Sequence, residues 1–209
     1  MSSPLAIKVS ESLMDRYGAA VDQFRAWFDL AGETPGVDDA TAMTLATADA
    51  EGRPSARTVL LKHFDERGFV FYTNGQSRKG EQVAANPRAA LVFLWEPLAR
   101  QVLVEGHVQP VSDAESDAYF ASRPRLSQIG AWASRQSEPL ADRAAFDAQV
   151  AEVESRFDGV EVPRPPHWGG YRVIPDMLEF WQGRDGRLHD RERFFRAASG
   201  DWEWTLLNP

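Results

Sequence analysis

The feature that most constrains this chain is a succession of β-type runs between Ala42 and Val111 with no regular helix after each one. Met43 to Thr47, Arg57 to Phe64, Phe69 to Thr73, Ala90 to Trp95 and Gln101 to Val108 are rich in Val, Leu, Phe, Tyr and Thr. Turn signals such as Glu51-Gly52 and Arg67-Gly68 separate them. Further runs follow the proline-rich loop 163–166: Tyr171 to Ile174, Leu178 to Gln182, Arg193 to Ala197 and Trp202 to Leu207. Strands in direct succession predict a mostly antiparallel sheet with flanking helices, not a doubly wound α/β fold.

The helices announce themselves by spacing and caps. Leu13, Tyr17, Val21, Phe24 and Phe28 recur at intervals of 4, 4, 3 and 4, the stripe of one amphipathic helix that ends in the Gly32–Gly36 segment. Ser77 is placed to cap a helix running to about Ala85, and Ser112-Asp-Ala-Glu115 is a capping box. A longer helix is expected from Pro139 to about Phe157, with Phe146, Val150, Val153 and Phe157 packing on the sheet. The 209 residues contain no linker-like stretch. They read as one domain, with a helical segment over 1–36 and closing strands in 160–209.

Composition removes several function classes. The net charge of -8 argues against nucleic acid or an anionic membrane as the main partner, so any anion must be bound by a local cluster. Without cysteine there is no disulfide, thiolate catalysis or Cys-ligated metal. His63, His107, His167 and His189 lack metal-type spacing, and no metal site is expected. The apolar run at the N-terminus is too short for a signal peptide and no segment approaches membrane-spanning length, so the expected location is cytoplasmic.

Local cation clusters do exist. In Tyr119-Phe-Ala-Ser-Arg123-Pro-Arg125-Leu-Ser127, a helical turn brings Tyr119 and Arg123 onto one face, and Pro124 ends the helix. A phenol, a guanidinium and a hydroxyl converging at a helix end form a cradle suited to phosphate. A second anion site is legible in Tyr72-Thr73-Asn-Gly-Gln-Ser77-Arg78-Lys79, where a strand gives way to a turn and a helix start. Two cations in the first turn oppose the helix dipole unless an anion is bound there. In Arg57-Thr58-Val59-Leu60-Leu61-Lys62, a lysine beside two leucines is expected to be partly buried and to need a partner. Arg187, His189 and Arg191 alternate, and period 2 would set all three on one face of a returning strand. Three such groups on one face point to a bound ligand, with Asp190 facing away.

Together these segments resemble the pyridoxine (pyridoxamine) 5′-phosphate oxidase family, from about Thr41 to the C-terminus. The most specific match is Leu178-Glu179-Phe180-Trp181-Gln182-x4-Arg187-Leu188-His189-Asp190-Arg191. Arg57 to Lys62, Ser77-Arg78-Lys79, Ser122 to Trp132 and Trp168-Gly-Gly-Tyr-Arg172 also match, in order. The resemblance implies an FMN-binding split β-barrel acting as a homodimer with shared active sites. It implies that FMN is held by Arg57, Thr58, Val59, Leu60, Leu61, Lys62, Tyr72, Thr73, Arg78, Lys79, Gln101, Gln136, Ser137, Trp181 and Arg191. The substrate phosphate would meet Lys62, Tyr119, Arg123 and Ser127, while Arg187, Leu188 and His189 would close over the ring, Arg187 and His189 as catalytic residues. The implied reaction passes a hydride from substrate C4′ to the flavin. Pyridoxamine or pyridoxine 5′-phosphate becomes pyridoxal 5′-phosphate, and O2 takes the electrons. Competing expectations are a related flavin oxidase acting on a phenazine precursor and a non-catalytic flavin- or vitamin-B6-binding module. Two departures from the family stand out: residues 1–12 lack a basic, tyrosine-containing segment, and the end reads Leu206-Leu207-Asn208-Pro209 rather than Arg-Leu-x-Pro.

Overall fold

The computed structural model describes residues 15–209. Leu13 of the expected stripe and the 1–12 segment compared with the family lie outside them. The chain opens with α1 (Arg16–Glu33), then β1 (Ala42–Ala48), β2 (Pro54–Leu60), β3 (His63–Asp65), β4 (Gly68–Asn74) and α2 (Arg78–Ala85). There follow β5 (Arg88–Trp95), β6 (Arg100–Pro110), α3 (Asp113–Ser122), α4 (Arg125–Ala133) and α5 (Arg143–Arg156). The C-terminal part holds β7 (Trp168–Gln182), β8 (Asp190–Arg196) and β9 (Trp202–Leu206). All strand pairs are antiparallel, as the succession of runs predicts.

The sheet order is β2-β1-β5-β6-β7-β4-β3, with β8 and β9 added beside β7. Its two end strands, β2 and β3, are neighbours in sequence, joined only by Leu61 and Lys62. Such a sheet must curl until its ends meet. The joint makes the switch in two hydrogen bonds: Leu61 N–H donates to Thr41 O at 2.8 Å, and Lys62 N–H donates to Val70 O at 2.9 Å. The run Arg57 to Phe64, expected as one strand, is therefore two, because consecutive residues pair with opposite ends of the sheet. In the other direction, Tyr171 to Ile174 and Leu178 to Gln182 belong to the single strand β7, whose register slips at Glu105/Gly106 of β6.

The concave side holds the core. Arg57, Val59 and Leu61 turn inward while Thr58, Leu60 and Lys62 are exposed, the alternation of a strand with one wet face. Helix α1 lays its stripe across the barrel mouth. Phe24 is fully buried, with ring centroids 4.8 Å from Phe64, 4.8 Å from Phe69 and 5.0 Å from Phe93. Ser77 caps α2 and Ser112 with Glu115 forms the capping box of α3, as their sequences predict.

Pro124 ends α3 as expected, and it also serves as the N-cap of α4, so a second helix follows at once. One helical expectation needs correction: α5 starts at Arg143, later than Pro139, and its main packing partner is α4. Val150 and Val153 join a satellite cluster around Phe120, Ile129, Phe157, Val162 and Trp168, the last contributed by the sheet.

Phe24→Ala should destabilise the protein by about 3–5 kcal/mol, the usual range for emptying a fully packed aromatic site. Urea denaturation measures this, and a loss under about 1 kcal/mol would show that α1 does not close the core.

Candidate active site

A cavity of about 640 Å³ opens where the β2–β3 joint, the end of β4 and the α3–α4 corner meet. Thr58, Val59, Leu60, Lys62, Tyr72, Thr73, Lys79, Tyr119, Arg123, Ser127 and Gln136 all line it. The structure thus gathers into one pocket eleven residues that the sequence offered from four separate segments.

One end is built on the β4–α2 turn. The turn is tight: a Cβ on Gly80 would stand 2.2 Å from Gly75 O, so only glycine allows it. Lys79 folds beneath the turn and is buried. Its Nζ donates to Thr73 Oγ1 (3.1 Å), Ser77 Oγ (3.1 Å) and Gln136 Oε1 (2.9 Å), all neutral acceptors. Burial and, secondarily, the charge of Arg57 lower its pKa from 10.5 to about 8. Arg57 itself is held by neutral oxygens, with Nη1 donating to Leu45 O (3.1 Å) and Thr47 Oγ1 (2.6 Å). Burial, and then Arg78, disfavour its charge too. Three cations thus gather without a carboxylate.

The other end is an aromatic shelf. Tyr72 and Tyr119 stack at 4.0 Å, and Trp168 extends the stack at 5.4 Å from Tyr72. Gly170 makes room for it, since a Cβ there would lie 2.6 Å from Tyr72 Cε1. The Arg123 guanidinium lies 4.7 Å over the Trp168 ring. Its Nη1 is buried and has no hydrogen-bond partner. Burial lowers the Arg123 pKa and raises those of Tyr119 and Tyr72. A buried guanidinium nitrogen without an acceptor is costly, and an anion would satisfy it.

Among the described residues, none of Arg57, Lys62, Arg78, Lys79, Arg123 or Arg187 forms an ion pair, although eleven other basic side chains do. Arg25, Arg100, Arg125, Arg156 and Arg196 form none either; what sets the pocket apart is that Lys79 and the Nη1 of Arg123 are buried there with no carboxylate partner.

A scan against family models supplies the chain's affiliation. The model described as "Pyridoxamine 5'-phosphate oxidase" matches residues 34–157, and "Pyridoxine 5'-phosphate oxidase C-terminal dimerisation region" matches residues 168–209. The chain belongs to the pyridoxamine 5′-phosphate oxidase family. A pyridoxine/pyridoxamine 5′-phosphate oxidase of Bordetella petrii is 58% identical over 190 residues, covering 90% of this chain and 88% of that protein. One from Ralstonia pickettii is 55% identical, covering 97% and 94%. Among solved structures, PhzG from Burkholderia lata 383, in complex with tetrahydrophenazine-1-carboxylic acid, superposes with a TM-score of 0.85 at 32% identity, covering all of both chains.

Several of the positions that the family resemblance singles out lie elsewhere. Leu61 is buried in the core and offers the pocket no side chain. Arg57, Arg78 and Ser137 do not line the cavity wall, and Arg78 and Ser137 are exposed. Lys62 is exposed rather than partly buried, because the joint turns its side chain off the sheet. Gln101, Trp181 and Arg191 are register neighbours on β6, β7 and β8. Trp181 lies near the opposite end of β7 from the pocket residue Trp168, with Gln101 and Arg191 beside it.

Arg187, His189 and Arg191 do not share a strand face. Asp185–Arg187 is a 3₁₀ turn and β8 begins only at Asp190. Arg191 pairs instead with buried Glu179, its Nη2 at 2.6 Å, and Asp190 pairs with Arg184. Leu188 is exposed. Trp168 is the site residue that the sequence reading left without a role, although it opens the Trp168-Gly-Gly motif.

The pKa of Lys79 carries a stability consequence with a definite sign. Below about pH 8 the lysine is charged in both folded and unfolded chains; between about 8 and 10.5 only the unfolded chain holds the proton. The stability of the ligand-free protein relative to Lys79→Met should therefore shift in favour of wild type as pH rises through that window. Thermal melts of both proteins across it are the check, and a pH-independent difference would contradict the assignment.

Proposed function

We propose that this chain is an FMN-dependent oxidase that converts pyridoxamine 5′-phosphate and pyridoxine 5′-phosphate to pyridoxal 5′-phosphate, with O2 as electron acceptor. The observation that carries the reading is one pocket with two separate sets of cations at or behind its wall, none of them paired with a carboxylate. One set, Arg57, Arg78 and Lys79, suits the cofactor phosphate. The other, Arg123 with Lys62, Tyr119 and Ser127, suits the substrate phosphate. The names of relatives up to 58% identical support the same substrates. The likeness to PhzG, at 32%, supports the phenazine-type alternative less strongly.

Bound FMN would supply the two-electron chemistry, accepting a hydride from the substrate and returning the electrons to O2 as peroxide. The chain's own residues bind and orient. The phosphate ends are clamped by charge-assisted hydrogen bonds, the tyrosine–tryptophan shelf gives a flat apolar wall, and Thr58 to Leu60 line the side facing β2.

The reading includes a homodimer. Gln101, Trp181 and Arg191 do not line the pocket of their own chain. They lie on the outward sheet face with Leu60 and Leu94, which are 38% and 54% exposed. A two-fold partner packed on this face would bring one subunit's Gln101, Trp181, Arg191, Arg187 and His189 to the other's pocket. The dimerisation-region match over 168–209 supports it.

Loading the protein with FMN and mixing it anaerobically with pyridoxamine 5′-phosphate tests the activity. Flavin absorbance should bleach and recover, with peroxide, on admitting air; a flavin that stays oxidised with both substrates would overturn the reading. Arg123→Ala should raise KM by about 10–100-fold, as expected for losing a charged hydrogen bond, with FMN retained. Arg187→Ala and His189→Ala should impair turnover while FMN remains bound, whereas Arg78→Ala should weaken FMN retention. Flavin content after gel filtration and steady-state kinetics separate these outcomes.

A further inference from the structure

Arg187 and His189 are carried by a turn with two consecutive residues in the left-handed region, Gly186 at φ 65° and Arg187 at φ 62°. A non-glycine residue stays there only when its surroundings hold it. The base of the turn is firmly anchored. Gln182 Nε2 donates to Leu98 O (3.2 Å) and Ala99 O (3.1 Å), and Gly183 N–H donates to Ala99 O at 2.7 Å. From that base Arg184 makes two contacts across the turn. Its main-chain N–H donates to His189 Nδ1 at 3.2 Å. Its guanidinium grips Asp190 Oδ2 through Nε at 2.7 Å and Nη2 at 2.6 Å. The His189 ring leans on Trp181, centroids 4.6 Å apart.

We propose that Arg184 is a positioning residue for the oxidation: its main-chain N–H fixes His189 as the Nε2–H tautomer, and its side chain clasps Asp190 to hold the turn that presents Arg187 and His189. The proposal rests on the reading above, in which those two residues face the substrate. A backbone N–H only donates, so Nδ1 is the acceptor and the neutral imidazole carries its proton on Nε2. His189 therefore meets the substrate as a hydrogen-bond donor through Nε2. The Arg184–Asp190 pair is about half exposed and contributes little to global stability. Its loss is felt in the geometry of the turn, not in the fold.

The test uses the FMN-loaded full chain with ¹⁵N-labelled histidine, the His189 signals assigned by their absence in His189→Gln. At a pH where the ring is neutral, wild type should show an acceptor-type Nδ1 and a proton-bearing Nε2. Arg184→Ala and Asp190→Ala should each give a mixture of tautomers and lower kcat for pyridoxamine 5′-phosphate by about tenfold, a fraction of what a positioned acid–base group supplies. KM, flavin content and melting temperature should change little, and Arg184→Lys should recover part of kcat. A wild-type proton on Nδ1 would overturn the proposal. So would an Arg184→Ala protein whose tautomer is unchanged, whatever its kcat, or one in which only KM rises. The tautomer is read without substrate, so a wild type that fails to reduce its flavin would sink the functional reading and leave this result standing.

Discussion

The structure depends on a two-residue joint. Leu61 and Lys62 connect strands at opposite ends of the sheet order, so the sheet cannot lie open. One main-chain N–H pairs with the residue preceding β1 and the next pairs with β4. Closure buries Leu61 in the barrel and expels Lys62 at the seam. The seam is also where the end of β4 and the α3–α4 corner come together, so the constraint that closes the barrel creates the pocket.

What fills that pocket is dictated by charge. A chain with a net charge of -8 has acids to spare, and many of its basic groups use them: Arg172 pairs with Asp65 and Glu115, and Arg191 with Glu179. At the pocket the acids are withheld. Lys79 is buried among neutral oxygens and Arg123 leaves a buried nitrogen without an acceptor. Both arrangements cost the ligand-free protein stability and favour a bound anion, the usual trade between stability and function.

Much of this was legible in the sequence where the determinant is local. The caps at Ser77 and Ser112, the antiparallel succession and the inward alternation of Arg57, Val59 and Leu61 depend on neighbours within a few residues. The break after Leu60 was not legible, because both halves carry the same alternation and only the change of partner strand separates them. Pro124 reads as a terminator; that it is also the N-cap of α4 depends on the helix that follows, which the local pattern does not announce. Arg187, His189 and Arg191 alternate like a strand, but Gly186 admits a left-handed turn that dissolves the pattern and sends Arg191 to Glu179. The pocket residues were visible as separate motifs. Their convergence, and the shelf that Trp168 adds to Tyr72 and Tyr119, are tertiary facts.

On the proposed function, the carboxylate-free cations at the β4–α2 turn hold a phosphate. The most direct measurement is the affinity of the ligand-free protein for FMN against riboflavin, which differ only by that group. FMN should bind at least about 100-fold tighter, the equivalent of one or two charged hydrogen bonds, with most of the difference lost in Lys79→Met. Equal affinity for the two flavins would contradict it.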